Sequence, residues 1–199
     1  MLKRTKGYVL LTMLVLTGLA GRMHSNILTT KERHTLVTEL KSSRNNFLKN
    51  VEGLSTKQLN FKAGRKDLSI KDCMIRLVSI ENNLWMATQR SLKDQTTFTD
   101  KTFSDEILPT ILQQEHTFPN TIKFISTKEA LKFYKYQRAE ILRYVHTSTE
   151  NVRGYGANMN SSNFDCYQLI LLTTIYCKYY TEQIEKIKVH PRFPNKKQD

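Results

Sequence analysis

Histidine and cysteine side chains are the groups in this chain that could bind a metal or act as a catalytic base or nucleophile. The chain contains five histidines and three cysteines. No two histidines are four residues apart, the spacing that places two ligands on one face of a helix. We therefore interpret the histidines as solvated or capping residues. One alternative stays open, a site that combines His146 with Glu81 or Glu140, although no spacing favours it. The histidines are His24, His34, His116, His146 and His190.

The cysteines are Cys73, Cys166 and Cys177, and an odd number cannot pair completely within one chain. Cys166 and Cys177 are predicted to lie on one helix, about 16 Å apart at the usual rise per residue, which is too far for a disulfide. Each cysteine lies in an apolar stretch, and a reactive thiol needs a nearby base or cation. The sequence thus predicts three small buried hydrophobic residues.

The first twenty residues have the organisation of a secretory signal peptide. Three basic residues within the first six precede an apolar run over 8–20, with small residues at Gly18 and Ala20. This run is short for a membrane-spanning helix, which needs about 20 apolar residues. We expect cleavage after Ala20 or Gly21 and export to a periplasmic or extracellular location, with no membrane span in the mature chain. The alternative is an uncleaved N-terminal anchor.

The composition predicts one mostly helical domain. The chain has 199 residues, is 39% hydrophobic and contains only 7 Gly and 4 Pro, which excludes collagen-like and wholly disordered chains and disfavours an all-β fold. The formal charge is +13, and loss of the three basic residues of the signal peptide leaves +10. Lysines and arginines are spread along the chain, a pattern typical of a solvated surface. No nucleic-acid partner is expected.

Capping motifs and apolar periodicity predict four long helices. The first spans 29–51, the second 70–92, the third begins at a capping box at Ser126 and ends before Gly154, and the fourth begins at 162–165 and ends before Pro191. A connection over 93–127 separates the second and third helices, and 154–163 is predicted to be a loop. The fourth helix has the most apolar centre and should be the most buried.

These elements predict an all-α fold, a four-helix bundle with one long crossover. The expected organisation is a signal peptide at 1–20, a linker at 21–28, the bundle at 29–190 and a flexible basic tail at 191–199.

Five short segments carry a resemblance to the DinB-like (DinB/YfiT) superfamily, in particular to its small exported members. The similarity runs from about residue 30 to 196 in consistent order. It implies an up-down-down-up four-helix bundle, in a family of metalloenzymes that includes thiol-dependent transferases and metal-dependent hydrolases. It also implies that a homodimer can form through the bundle faces. The segments are 51–55 (VEGLS), 58–62 (QLNFK), 68–73 (LSIKDC), 81–85 (ENNLW) and 181–194 (TEQIEKIKVHPRFP).

The resemblance also implies a site for a divalent metal such as zinc or nickel, held by three histidines. In this chain the corresponding positions are Arg76, Tyr176 and Tyr180. Arginine cannot coordinate a cation because it stays protonated. Tyrosine could do so only as phenolate, against an ordinary pKa of about 10. We therefore expect that the metal site is lost and that no cofactor is bound.

Two interpretations of these replacements remain. In the first, Arg76 points into the bundle and lines a pocket with Tyr176 and Tyr180 for a small anionic or polar molecule, with Glu81 and Cys73 as supporting residues. In the second, Arg76 stacks on the tyrosines or pairs with Glu81 and fills the former cavity. The expected function is a non-catalytic binding or interaction role. The alternative is a divergent hydrolase or thiol transferase that uses non-histidine ligands or no metal.

Overall fold

The computed structural model describes residues 27–98, 124, 126–159 and 162–195. This part of the chain is mostly helical, which confirms the expected class, and it adds one small antiparallel sheet. The predicted signal peptide, most of the linker and most of the connection over 93–127 lie outside the described residues. The elements are α1 (Thr30–Val51), α2 (Thr56–Leu59), α3 (Ile70–Lys93), α4 (Thr127–Thr147), β1 (Gly156–Met159), β2 (Ser162–Asp165) and α5 (Cys166–Lys188).

Helix starts follow the capping motifs in the sequence. At α1 the Thr29 hydroxyl accepts a hydrogen bond from the Glu32 N–H at 3.2 Å, and the Glu32 carboxylate accepts from the Thr29 N–H at 2.9 Å. The same reciprocal pair forms between Ser69 and Asp72 at α3. At α4 the Ser126 hydroxyl accepts from the backbone N–H three residues later. These bonds satisfy donors that a helix N-terminus otherwise leaves unpaired.

Glu32 takes part in the N-cap of α1 and also binds an arginine far away in the sequence. Both contacts involve its carboxylate, so its contribution to stability depends on pH. Its carboxylate also pairs with Arg153 at 2.5 Å. Burial alone would raise the pKa of Glu32, but the hydrogen bonds from Thr29 and Arg153 lower it overall. A carboxyl whose pKa is lower in the folded state stabilises above its unfolded pKa, and this contribution is lost as the pH falls.

We expect Glu32→Ala to lower the free energy of unfolding by about 1 kcal/mol at pH 7, the usual cost of a lost cap, and by much less at pH 3. Urea unfolding followed by circular dichroism at both pH values measures the difference. Glu182→Ala, at an exposed position on α5, is the control and should have little effect at either pH. An equal loss for Glu32→Ala at both pH values would contradict this account.

The four long helices enclose the core. Helix α5 packs against α1 and α3, and α4 packs against the same two helices. The apolar centre of α5 is buried as predicted, with Leu169, Ile170 and Leu172 almost inaccessible to solvent. The prediction that the three cysteines are buried hydrophobic residues is also confirmed.

A β-hairpin occupies the segment that the sequence predicts to be a loop. Strands β1 and β2 pair antiparallel, with Gly156 opposite Asp165 and Met159 opposite Ser162. The last helix consequently begins later than predicted, with Asp165 as its N-cap and its carboxylate accepting from the Gln168 N–H at 2.8 Å. The strands can approach because residue 156 has no side chain: a Cβ there would lie 2.2 Å from the Phe164 carbonyl oxygen.

Part of the predicted C-terminal tail is packed. Residues 191–195 fold back towards α2, where Gln58 Nε2 donates to the Pro194 carbonyl at 3.0 Å. Phe193 meets Phe61 edge to face, with 5.5 Å between the ring centroids. These five residues of the predicted flexible tail therefore include side-chain and backbone contacts with α2 and the segment that follows it. Residues 196–199 lie outside the described part of the chain.

No helix among the described residues combines the length and the apolar character that crossing a membrane requires.

Candidate functional site

Four of the five predicted site residues lie together where α3 meets α5. Cys73 and Arg76 are three residues apart on α3, and Tyr176 and Tyr180 are four residues apart on α5. Tyr176 and Tyr180 are 5% and 8% exposed, and Cys73 is fully buried in the same core cluster. The structure therefore brings Cys73 close to the three positions that the resemblance singled out.

Arg76 differs from the prediction because its side chain is exposed rather than enclosed by the bundle. It lies close to the rim tyrosine: burial raises the pKa of Tyr180, and the positive charge of Arg76 opposes that shift. The guanidinium also lines an open cleft of about 380 Å³. Of the interpretation in which Arg76 fills a cavity, its contact with Tyr180 is present, whereas its pairing with Glu81 is not.

Glu81, the fifth predicted residue, is committed elsewhere. It forms a bidentate pair with Arg138 of α4, with Nε to Oε2 at 2.9 Å and Nη2 to Oε1 at 2.5 Å. Both side chains are 0% exposed. Glu81 therefore neither supports the Arg76 cleft nor pairs with Arg76. It is equally unavailable to His146, whose side chain is exposed to solvent.

Arg138 is the residue that sequence reasoning missed. Its Nη2 donates to the Thr173 carbonyl at 3.0 Å, and its guanidinium stands over the ring of Tyr134, 5.5 Å from the centroid. Burial alone would lower the pKa of Arg138, but the Glu81 carboxylate holds it above its usual value. A signal was available, because Arg138 lies on the apolar stripe of its helix and a buried cation requires a buried anion.

The residues at the positions that the DinB-like resemblance matches to metal ligands do not fit a metal. Arg76 carries a permanent positive charge. Burial raises the pKa of both Tyr176 and Tyr180, which keeps the phenols protonated. Among the residues that the structure describes, no group of three His, Cys, Asp or Glu side chains could hold a metal ion. Burial also raises the pKa of the Cys73 thiol to about 12, so this cysteine is a poor nucleophile.

The cleft beside Arg76 is formed by the loop before α3 and the first two turns of that helix. One pair of charges in it is already satisfied, because Lys62 Nζ lies 2.8 Å from the Asp72 carboxylate. Arg76 and Asp67 take part in none of the ion pairs found in the described part of the chain. The lining residues are Lys62, Lys66, Asp67, Leu68, Asp72, Ile75 and Arg76.

A larger cleft of about 770 Å³ lies between α3 and β1. Among the described residues that line it, Arg90 is charged and the others are glycine or carry amide, hydroxyl or apolar side chains, for example Asn82, Met86 and Met159. It contains none of the predicted site residues. The cleft at Arg76 is therefore the better candidate for recognition of an anion.

Comparison of the chain with protein-family models, curated proteins and solved structures finds no match.

Proposed function

We propose that this chain is an exported, DinB-like four-helix bundle with an up-down-down-up order, and that it binds a small anionic molecule without catalysing a reaction on it. The observation that carries the binding proposal is the exposed guanidinium of Arg76 on the wall of an open cleft, where it contacts Tyr180 but takes part in no ion pair among the described residues. At the positions that hold metal ligands in the family, this chain has one cation, Arg76, and two phenols, Tyr176 and Tyr180. Such a surface suits recognition of an anion better than coordination of a metal.

Contacts between helix ends support the proposed helix order. Asn50, at the end of α1, donates to the Glu185 carboxylate near the end of α5 at 2.9 Å, which is consistent with parallel helices. Arg33, near the start of α1, donates to the Ser148 carbonyl just after α4 at 2.7 Å, as antiparallel helices would.

The other two pairs agree with the same order. Cys166, at the start of α5, lies 3.9 Å from the Thr88 carbonyl near the end of α3, which favours an antiparallel pair. Trp85 of α3 and Tyr144 of α4 pack edge to face late in both helices, which favours a parallel pair. Taken in chain order, these directions correspond to up, down, down and up.

The chemistry of the cleft supports binding without catalysis. The only thiol in the predicted site, Cys73, is buried and protonated, and Tyr180 is held as a phenol. Because both groups stay protonated near neutral pH, neither is suited to act as a nucleophile or as a base. Arg76 can donate charge-assisted hydrogen bonds to a carboxylate or phosphate, which needs no proton transfer.

The proposal predicts saturable binding of inorganic phosphate at the Arg76 cleft. In an NMR titration at constant ionic strength, phosphate should shift amide signals of residues 62–76 selectively. Arg76→Gln should weaken this binding about tenfold, since a charge-assisted hydrogen bond contributes about 1.5–3 kcal/mol. Arg143→Gln, which removes the same charge from a side chain that is 78% exposed on α4, is the matched control and should leave the affinity unchanged.

Two outcomes would overturn the proposal. One is the absence of saturable binding, or equal affinity in the wild type and the Arg76→Gln variant. The other is tight stoichiometric uptake of Zn²⁺ or Ni²⁺ by protein purified without a histidine tag. Metal uptake would instead favour a divergent metal-dependent hydrolase or transferase with non-histidine ligands.

A further inference from the structure

We propose that the cleft at Arg76 selects a small zwitterion, in which an anionic group and an ammonium group are joined by a short carbon chain, over a simple anion. The inference rests on the proposed function, because it assumes that Arg76 receives the anionic group. What it adds is a role for Asp67, which the anion-binding proposal leaves without one.

The uncommitted charges of the cleft are of both signs. Lys62 and Asp72 neutralise each other at 2.8 Å. The remaining charged lining residues are Arg76 and Lys66, which are cations, and Asp67, which is an anion. A simple anion bound by Arg76 would therefore lie in the same space of about 380 Å³ as an unpaired carboxylate. Like charges that share one cleft repel each other.

Asp67 is placed to face a ligand rather than a protein partner. Its backbone N–H donates to the Gly64 carbonyl at 3.2 Å, which closes a turn just before α3. Its carboxylate lies over that glycine, where an added Cβ would come 2.8 Å from Oδ2. The carboxylate is solvent-exposed and lines the cleft. The absence of a side chain at Gly64 thus leaves room for the carboxylate beside the loop.

Apolar side chains lie between the two charges. Leu68 and Ile75 line the same cleft as Arg76 and Asp67. A ligand can then place its carboxylate or phosphate at Arg76, its ammonium at Asp67 and its methylene groups over Leu68 and Ile75. In this arrangement Arg76 and Asp67 each face a ligand group of opposite charge, whereas a simple anion offers one to the cations alone and none to Asp67.

A second cleft of about 250 Å³ shares Asp67 and Leu68 with the first and is also lined by Lys186 and His190. Besides Lys66 of the first cleft, Lys186 could compete with the ligand's ammonium group for Asp67. It lies on α5 and makes no ion pair among the described residues. Removing its charge should therefore strengthen the preference for a zwitterion or leave it unchanged.

Matched pairs of probes test the inference directly. Phosphoethanolamine and ethyl phosphate differ only in the ammonium group, and β-alanine and propionate form the corresponding carboxylate pair. Titrations of the full-length chain at low ionic strength should give about three- to fivefold tighter binding for the ammonium-bearing member, as expected for one exposed charge pair. The pair with the larger affinity identifies phosphate or carboxylate as the anionic group.

Asp67→Asn should abolish this preference while ethyl phosphate binds at least as tightly as before. Asp94→Asn, at the far end of α3, removes the same charge outside the cleft and should keep the preference. Equal affinities within both pairs in the wild type, or a preference that survives Asp67→Asn, would overturn the zwitterion inference alone. Failure of all four probes to bind would instead overturn the proposed function on which the inference rests.

Discussion

Replacing Arg138 with methionine should lower the free energy of unfolding by about 3–5 kcal/mol, the usual cost of removing one partner from a buried ion pair. The variant leaves the Glu81 carboxylate in a site with no solvent exposure and without its two hydrogen bonds from the guanidinium. Burial raises the pKa of Glu81 even with Arg138 present. Without Arg138, Glu81 must either protonate or remain charged in the core.

A double-variant cycle separates the pair from its surroundings. Glu81→Leu with Arg138→Met replaces both charges by apolar groups, which is often neutral or stabilising for a buried pair, so most of the lost stability should return. Arg143→Met, at an exposed position on the same helix, should change stability by less than about 0.5 kcal/mol. Urea unfolding is measured for the wild type, the two single variants, the double variant and the Arg143→Met control. A double variant as unstable as the sum of the single variants would show that the two charges do not depend on each other.

The same pair has a consequence for the architecture. From α4, Arg138 reaches Glu81 on α3, the Thr173 carbonyl on α5 and the Ser43 hydroxyl on α1. Arg138 keeps all its partners only when these groups on the other three helices lie around it. Alternative packings of the four helices lose some of these partners and are therefore disfavoured. A double variant that regains stability but shows poorly dispersed NMR signals would reveal the loss of a unique packing.

Local features of the fold could be predicted from the sequence because they depend on local physics. A hydroxyl or carboxylate before an apolar stripe, with a carboxylate three residues later, is enough to begin α1 at Thr30 and α3 at Ile70. The stripe on α3 predicted its end within a residue or two, at Lys93. Neither inference needed knowledge of which helix packs against which.

Which side chains pair between different helices could not be predicted in the same way. A stripe indicates that Glu81 and Arg138 both face the core, but it does not show which side chains lie at the same level along neighbouring helices. The sequence analysis therefore considers Arg76, and not Arg138, as a partner of Glu81. The orientation of Arg76 failed for a related reason. Its position beside Cys73 places its Cα near the core, yet a long side chain can extend to solvent from such a position. Asp67 was missed because loop residues carry no periodicity.

The hairpin before α5 shows a third kind of limit. Its strands have four residues each, and Gly, Asn and Ser in the segment are typical of loops. The strands pair because of tertiary contacts. Phe164 is buried, and the Gly156 N–H donates to the Thr96 carbonyl at 3.1 Å, which connects the hairpin to the chain that follows α3. A glycine in a loop and a glycine required by close strand contact look the same in the sequence.

Gly156→Ala should therefore destabilise the protein by about 1–3 kcal/mol, the range for a group forced into a packed site. The new Cβ would lie 2.2 Å from the Phe164 carbonyl oxygen and 2.6 Å from a ring carbon of Phe98. Because the first of these atoms belongs to the backbone of the paired strand, relief requires β1 and β2 to separate. We expect both a lower free energy of unfolding and faster hydrogen exchange at the amides of β2.

Asn158→Ala is the control for this prediction, since it lies in the same strand and its amide meets only the exposed side chain of Asn163, at 2.9 Å. It should cost no more than about 0.5 kcal/mol and leave amide exchange in β2 unchanged. If Gly156→Ala behaved like this control, residue 156 would be an ordinary loop glycine and the close approach of the two strands would be refuted. A large loss confined to Gly156→Ala would instead establish that β1 and β2 form a packed hairpin. Glycine is then required at residue 156 by close contact rather than by backbone flexibility, because a Cβ there would lie 2.2 Å from the Phe164 carbonyl oxygen and 3.0 Å from the Asp165 Cα.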